Sequence, residues 1–175
     1  MIKDGILNLD SFVELCKLNL DVKFAITGSL MLHMQGVKLN RIPNDVDIVC
    51  DRKDVKELQV PSNWDECTNR KTYDNPEMST FSVAVPGQKS TKVDIMYSDN
   101  PGDFITTITP YTDLAYFADF KTMLYAKARF AMQNNKAADK HMLDLISLHY
   151  KMVDKPFVAG RSGMIDHVMK VSQIR

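Results

Sequence analysis

Lys23-Phe24-Ala25-Ile26-Thr27-Gly28-Ser29 is a compact apolar run that stops at a glycine–serine pair. Leu30, Met31, Leu32 and Met34 follow at helical spacing up to Gly36, so the stretch reads as strand, tight turn, helix. Glycine lets a backbone approach a phosphate closely, serine adds a hydroxyl, and the free amides that open a helix favour an anion. Alone, such a pair is ordinary turn punctuation, and its meaning depends on what lies downstream.

Residues 37–44 contain Pro43 and several polar side chains and read as loop, since proline and the residue before it resist helix. Asp45-Val46-Asp47-Ile48-Val49-Cys50 then alternates acid and aliphatic before turning apolar, a strand signal. Side chains alternate faces along a strand, so Asp45 and Asp47 point to one side and Val46 and Ile48 to the other. Carboxylates held that close repel unless a cation neutralises them, and a hard, oxygen-seeking ion such as Mg²⁺ suits the pair. Asp94 repeats the setting within Thr91-Lys92-Val93-Asp94-Ile95-Met96-Tyr97, and adds a third carboxylate if the two strands are neighbours. Three carboxylates can hold two divalent ions, an arrangement suited to in-line phosphoryl transfer: one ion activates an attacking hydroxyl and the other steadies the leaving pyrophosphate. An Asp-x-Asp strand can equally be a solvated edge. What favours the chemical reading is the order of the parts: strand, Gly-Ser, helix, loop, Asp-x-Asp strand, single-Asp strand.

The remaining pattern extends this α/β (α+β) layout. Ser11 to Glu14 forms a capping box for an opening helix carrying Phe12, Leu15, Cys16 and Leu18. Residues 52–58 read as a short helix and 64–70 and 79–85 as strands, with turns at Tyr73-Asp74-Asn75-Pro76, Pro86-Gly87 and 98–102. Beyond Pro110 the character changes. Leu114, Phe117, Phe120, Leu124, Ala128 and Ala131 step along one helical face, and Leu143, Ile146, Leu148 and Tyr150 continue in a second helix. Ser162 caps an expected final helix through Met169. The expected organisation is a core over residues 1–110 and a helical segment over 111–175 packed on it.

Bulk properties narrow the function classes. A chain of 175 residues with 45% hydrophobic and 25% charged residues matches an ordinary globular composition. Lys plus Arg equals Asp plus Glu at 22 each, so no global positive field draws in nucleic acid, and a polyanion would have to be held by a local patch. Lys121, Lys127, Arg129, Lys136 and Lys140 form one candidate patch, which could also be a plain solvated helix face. The three cysteines, Cys16, Cys50 and Cys67, lack zinc or disulfide spacing and read as buried free thiols in a reducing compartment. The opening MIKDGILNLD has no long apolar core, and no stretch approaches ~18 consecutive apolar residues, so a cytoplasmic chain is expected. His33, His141, His149 and His167 are too scattered for a ligand set, and Ser29 lacks the histidine and acid partners of a nucleophile triad.

The order Gly28-Ser29, Asp45-Val46-Asp47-Ile48, Val93-Asp94-Ile95 resembles the signature of the polymerase-β-like nucleotidyltransferase superfamily. The resemblance implies the nucleotidyltransferase fold, a small mixed sheet flanked by helices with a C-terminal helical segment. It also implies that Gly28 and Ser29 bind a nucleoside triphosphate and that Asp45, Asp47 and Asp94 bind two Mg²⁺ ions, for which Mn²⁺ can substitute. Gly28-Ser29 followed by Leu32, Gly36, Arg41 and Asp45-Val46-Asp47 is further similar to minimal nucleotidyltransferases related to abortive-infection toxins. These often carry Arg-x-Thr-x-Asp-x-Asp, and Pro43 stands here where threonine or serine is usual. Lys127 matches a lysine of that subgroup, and Lys140-His141-Met142-Leu143-Asp144-Leu145 resembles its Lys-Asp-x-x-Asp-Ile element, with His141 replacing the acid.

By that resemblance Arg41, Lys127 and Lys140 belong to the nucleotide site, the two lysines reaching the triphosphate, and Asp144 orients a lysine. The alternative is that the lysines are solvated and Asp144 is the i, i+4 partner of Lys140. The implied activity is transfer of NMP from an NTP to a hydroxyl acceptor, an RNA end such as that of tRNA, a protein or a small molecule. The alternative is a silent module on the same fold, acting as an antitoxin-like or regulatory partner, though it would have no need of three carboxylates and a glycine–serine turn.

Overall fold

The acid–aliphatic alternation of residues 45–51 becomes the centre of a sheet. In a computed structural model, which describes residues 12–72, 77–83, 91–105, 107–108, 115–133 and 136–153 together with Gly163 and Asp166, the strands are β1 (Phe24–Thr27), β2 (Asp45–Asp51), β3 (Trp64–Thr72), β4 (Glu77–Val83), β5 (Thr91–Ser98), β6 (Thr107–Ile108) and β7 (Ala115–Phe117). They form one mixed sheet in the order β3-β4-β5-β2-β1-β7-β6. β2 runs parallel to β5 and β1 parallel to β7, while β1/β2, β3/β4, β4/β5 and β6/β7 are antiparallel. The helices are α1 (residues 12–18), α2 (Gly28–Met34), α3 (Phe120–Met132) and α4 (Ala138–Val153). Residues 52–58, expected as a short helix, form a 3-10 turn over Arg52–Glu57.

The chain divides into two units. The first comprises residues 1–31 and 43–118, the second residues 32–42 and 119–175. In the first, Val46 and Ile48 on β2 and Val93 and Ile95 on β5 are buried, while the intervening acids are half-buried, as the period of two demands. Phe12 and Phe24 meet edge to face with centroids 6.1 Å apart. Asn19 ties α1 to a distant loop: its Nδ2 donates to the carbonyls of Leu15 (2.8 Å) and Gln59 (2.7 Å), and its Oδ1 accepts from the Gln59 amide. Cys16 and Cys50 are buried free thiols, each pushed up to about 12 by burial.

In the second unit, α2 ends in a paired cap. The Val37 amide donates to the Leu32 carbonyl (2.9 Å) and the Gly36 amide to that of His33 (3.0 Å), with Gly36 at φ 78°, the left-handed conformation this motif requires. α3 begins where Asp119, extended at φ −67° and ψ 141°, accepts from the Thr122 amide. α3 and α4 pack on each other, burying Met123, Leu124, Ala128 and Ala131 from one and Met142, Leu145 and Leu148 from the other.

Two helical expectations are corrected. Phe117 belongs to β7 rather than to the face of α3, because Ala115–Phe117 pairs with β1 and Asp119 caps the helix only afterwards. In α4 the expected stripe of Leu143, Ile146 and Tyr150 is exposed at 45%, 41% and 51%, and the buried face runs through Ala138, Met142, Leu145, Leu148 and His149. Several expectations lie outside the described residues: the Ser11 cap, the turns at 73–76 and 86–87, and the final helix of 162–169 apart from Gly163 and Asp166, both helical. Among the described residues no helix is long and apolar enough to cross a membrane.

Candidate active site

In the first unit, strand pairing brings the acids together. Asp47 and Asp94 are direct partners in the parallel β2/β5 register, and Asp45 stands opposite Lys92. Partners in register share a face, so Asp45, Asp47 and Asp94 lie on the same side of the sheet. All three are half-buried, and Asp94 Oδ1 is buried. Among the described residues no three His, Cys, Asp or Glu side chains stand close enough to enclose one metal ion. The donors that are present, carboxylate oxygens on adjacent strands, match the preference of Mg²⁺ for hard oxygen ligands with water filling the remaining positions.

The glycine–serine turn abuts this pair. Thr27 is the β1 partner of Asp47, and Gly28 follows with φ 69°. A Cβ at Gly28 would overlap the Asp47 carboxylate, standing 2.8 Å from its Cγ and 3.0 Å from its Cβ. Glycine is therefore required twice, by the left-handed backbone and by the side chain lying against it. Gly28 is buried and Ser29 is 2% exposed.

In the second unit, Asp144 is the hub of an ion triad. Its Oδ2 accepts from Lys127 Nζ and from an Arg41 terminal nitrogen, both at 2.8 Å, and its Oδ1 from Arg41 Nε at 3.2 Å. The Asp144 side chain is 1% exposed, Lys127 5% and Arg41 23%. Burial pushes the Asp144 carboxyl up, but the Arg41 hydrogen bonds and the Lys127 and Arg41 charges outweigh it and hold it below the usual carboxylate range. The lysine that Asp144 binds is thus Lys127, from α3, and Lys127 is buried rather than solvated.

Lys140 is half-buried on α4, one residue before His141. The His141 ring stacks on Phe130 with centroids 5.0 Å apart and 29° between planes. Burial, then the charges of Lys127 and Lys140, push its imidazole down to about 4. Neither this stack nor the reach of Arg41 across 103 positions to Asp144 has a signature in spacing or composition.

No protein-family model matches the sequence, and no curated protein does. Solved structures do. An antigenic nucleotidyltransferase-like protein from Paracoccidioides brasiliensis superposes with a TM-score of 0.55 at 17% identity, over 94% of this chain and 86% of that one. The antibiotic-resistance factor ANT(2'')-Ia superposes with a TM-score of 0.57 at 8% identity, over 98% of this chain and 92% of that one. The chain therefore has a nucleotidyltransferase-like fold, with a mixed sheet and a C-terminal helical pair.

Proposed function

We propose that this chain is a Mg²⁺-dependent nucleotidyltransferase of the minimal type related to abortive-infection toxins, moving NMP from an NTP to an acceptor hydroxyl with release of pyrophosphate. The observation that carries the reading is the in-register Asp47–Asp94 pair with the Gly28 backbone lying against Asp47. Two acids face each other across adjacent strands and present hard carboxylate oxygens on one face of the sheet, the donor type that Mg²⁺ takes. Asp45, Asp47 and Asp94 would hold two Mg²⁺ ions between them, with Mn²⁺ able to substitute, and the ions would supply charge neutralisation at the leaving pyrophosphate and polarisation of the attacking oxygen. Asp94 is read as the group nearest the acceptor hydroxyl, accepting its proton. Gly28 and Ser29 are read as the phosphate turn, and Arg41, Lys127 and Lys140, with Asp144 fixing Lys127, as the phosphate-binding cations. The acceptor is an RNA end, with tRNA included, a protein or a small molecule.

The test is to incubate the purified protein with labelled NTPs, Mg²⁺ or Mn²⁺ and cell extract. Label transferred to an RNA, protein or small molecule, and lost in Asp47→Asn and Asp94→Asn, supports the reading. No transfer and no NTP binding under any metal condition overturns it.

A further inference from the structure

The second unit sorts its charges by depth. The Asp144 carboxylate is buried, whereas Arg41 reaches partway into solvent, so the side of the triad nearer water is cationic. His141 sits within this cluster. Facing it are Lys127 from α3, Lys140 and Asp144 from α4, and Arg41 from the segment after α2: three cations against one carboxylate. Its ring is held in place by the stack on Phe130, and its Nδ1 is buried with no hydrogen-bond partner among the described residues.

An imidazole in that position resists a proton, because a protonated ring would add a fourth positive charge to a cluster already in cationic excess and partly shielded from water. An anion reverses the balance. Phosphate groups settling on Arg41, Lys127 and Lys140 would neutralise the charges that oppose protonation, and the imidazolium would in turn strengthen the hold on the anion.

We propose that His141 is a proton-coupled phosphate-binding residue: neutral in the free protein, it takes one proton from solvent when nucleotide phosphates occupy the Arg41–Lys127–Lys140 cluster, and then acts as a further cation of that site. The inference rests on the nucleotidyltransferase reading for the identity of the anion. It assigns a role to the position where the resembled motif carries an acid, and it makes triphosphate affinity depend on pH.

The test follows the four histidine side chains of the full chain by NMR, with and without a non-hydrolysable ATP analogue and Mg²⁺. The His141 resonance is assigned through the backbone and checked by its loss in His141→Gln. The titration midpoint of His141 should rise by at least about one pH unit on binding, equivalent to about tenfold in affinity. Calorimetry at pH 5, above the free midpoint and within reach of the raised one, in two buffers of different ionisation enthalpy should show more proton uptake by the wild type than by His141→Gln. Both proteins meet the same ligand, so its own titration cancels. If the analogue binds while the His141 midpoint stays put, the inference fails and the parent reading stands. If the analogue does not bind at any pH, both fail.

Discussion

Asp47 on β2 and Asp94 on β5 are paired across a parallel ladder, two carboxylates on one face with Asp45 two residues earlier on the same strand as Asp47. Like charges placed directly opposite on adjacent strands repel. Asp94→Asn should therefore leave metal-free stability unchanged or raise it by ~0.2–1 kcal/mol, in a urea melt with chelator present. Mg²⁺ at about a hundred times its Kd should stabilise the wild type by about 2.7 kcal/mol and leave Asp94→Asn and Asp47→Asn little changed. A wild-type melting temperature indifferent to Mg²⁺ would count against a metal at these acids.

Gly28→Ala combines two penalties. The left-handed backbone alone costs a side chain roughly 1–2 kcal/mol, and the added methyl must displace the Asp47 carboxylate. We expect a loss of about 2 kcal/mol or more and no transferase activity. A variant that keeps wild-type stability would mean the turn can relax without Asp47.

Removing the Asp144 side chain leaves Lys127 buried with its charge uncompensated. Asp144→Ala should cost roughly 3–5 kcal/mol in chemical denaturation. Lys127→Met in the same background should recover part of it, because the orphaned charge is then gone.

The pH dependence has two windows of the same sign. His141 is depressed from 6.5 to about 4, so the unfolded chain binds a proton that the folded chain refuses, and stability is lost as pH falls through that interval. Asp144, held below 3.8, contributes stability that is present above the ordinary carboxylate range and lost as pH falls through its lowered folded value. Thermal melts of the ligand-free protein should fall between pH 6.5 and 4. His141→Gln should flatten that first segment and leave the later fall in place.

Asp119 stands at the point where β7 has ended and α3 begins, and its carboxylate accepts from the Thr122 amide at 3.1 Å and contacts the Thr122 hydroxyl at 3.3 Å. Asp119→Ala should lower stability by about 1 kcal/mol. Asp119→Asn should recover most of that loss, since an amide oxygen can still accept the hydrogen bond.

The sheet was legible wherever one face is wet and the other dry. Asp45–Cys50 and Lys92–Tyr97 announce themselves by alternation, and Gly28 and Gly36 mark the two ends of α2 by their backbone demands. Alternation says nothing about which strands are neighbours, so the Asp47–Asp94 partnership belongs to the sheet order and is carried by neither strand alone. Ala115–Phe117 was hidden because a three-residue strand has no period of its own, and Phe117 fell in phase with the helix after it. The face of α4 was misread for a related reason: a buried carboxylate at Asp144 looks polar in sequence, which rotates the apparent apolar stripe toward Leu143, Ile146 and Tyr150. Lys140 and Asp144 are spaced as a surface pair, and tertiary structure gives Asp144 other partners.

The bond between Arg41 and Asp144 spans 103 positions, so at ordinary translation rates the arginine leaves the ribosome roughly 5 to 20 seconds before its acceptor. Lys127 emerges in that interval too, waiting for the same carboxylate. A nascent chain that has not yet delivered residue 144 therefore holds two cations without the carboxylate that gathers them, and the triad of the second unit closes only once Asp144 has emerged. Cutting the chain at residue 118 would separate Arg41 from both partners, so the two helices should not mature as an autonomous fragment.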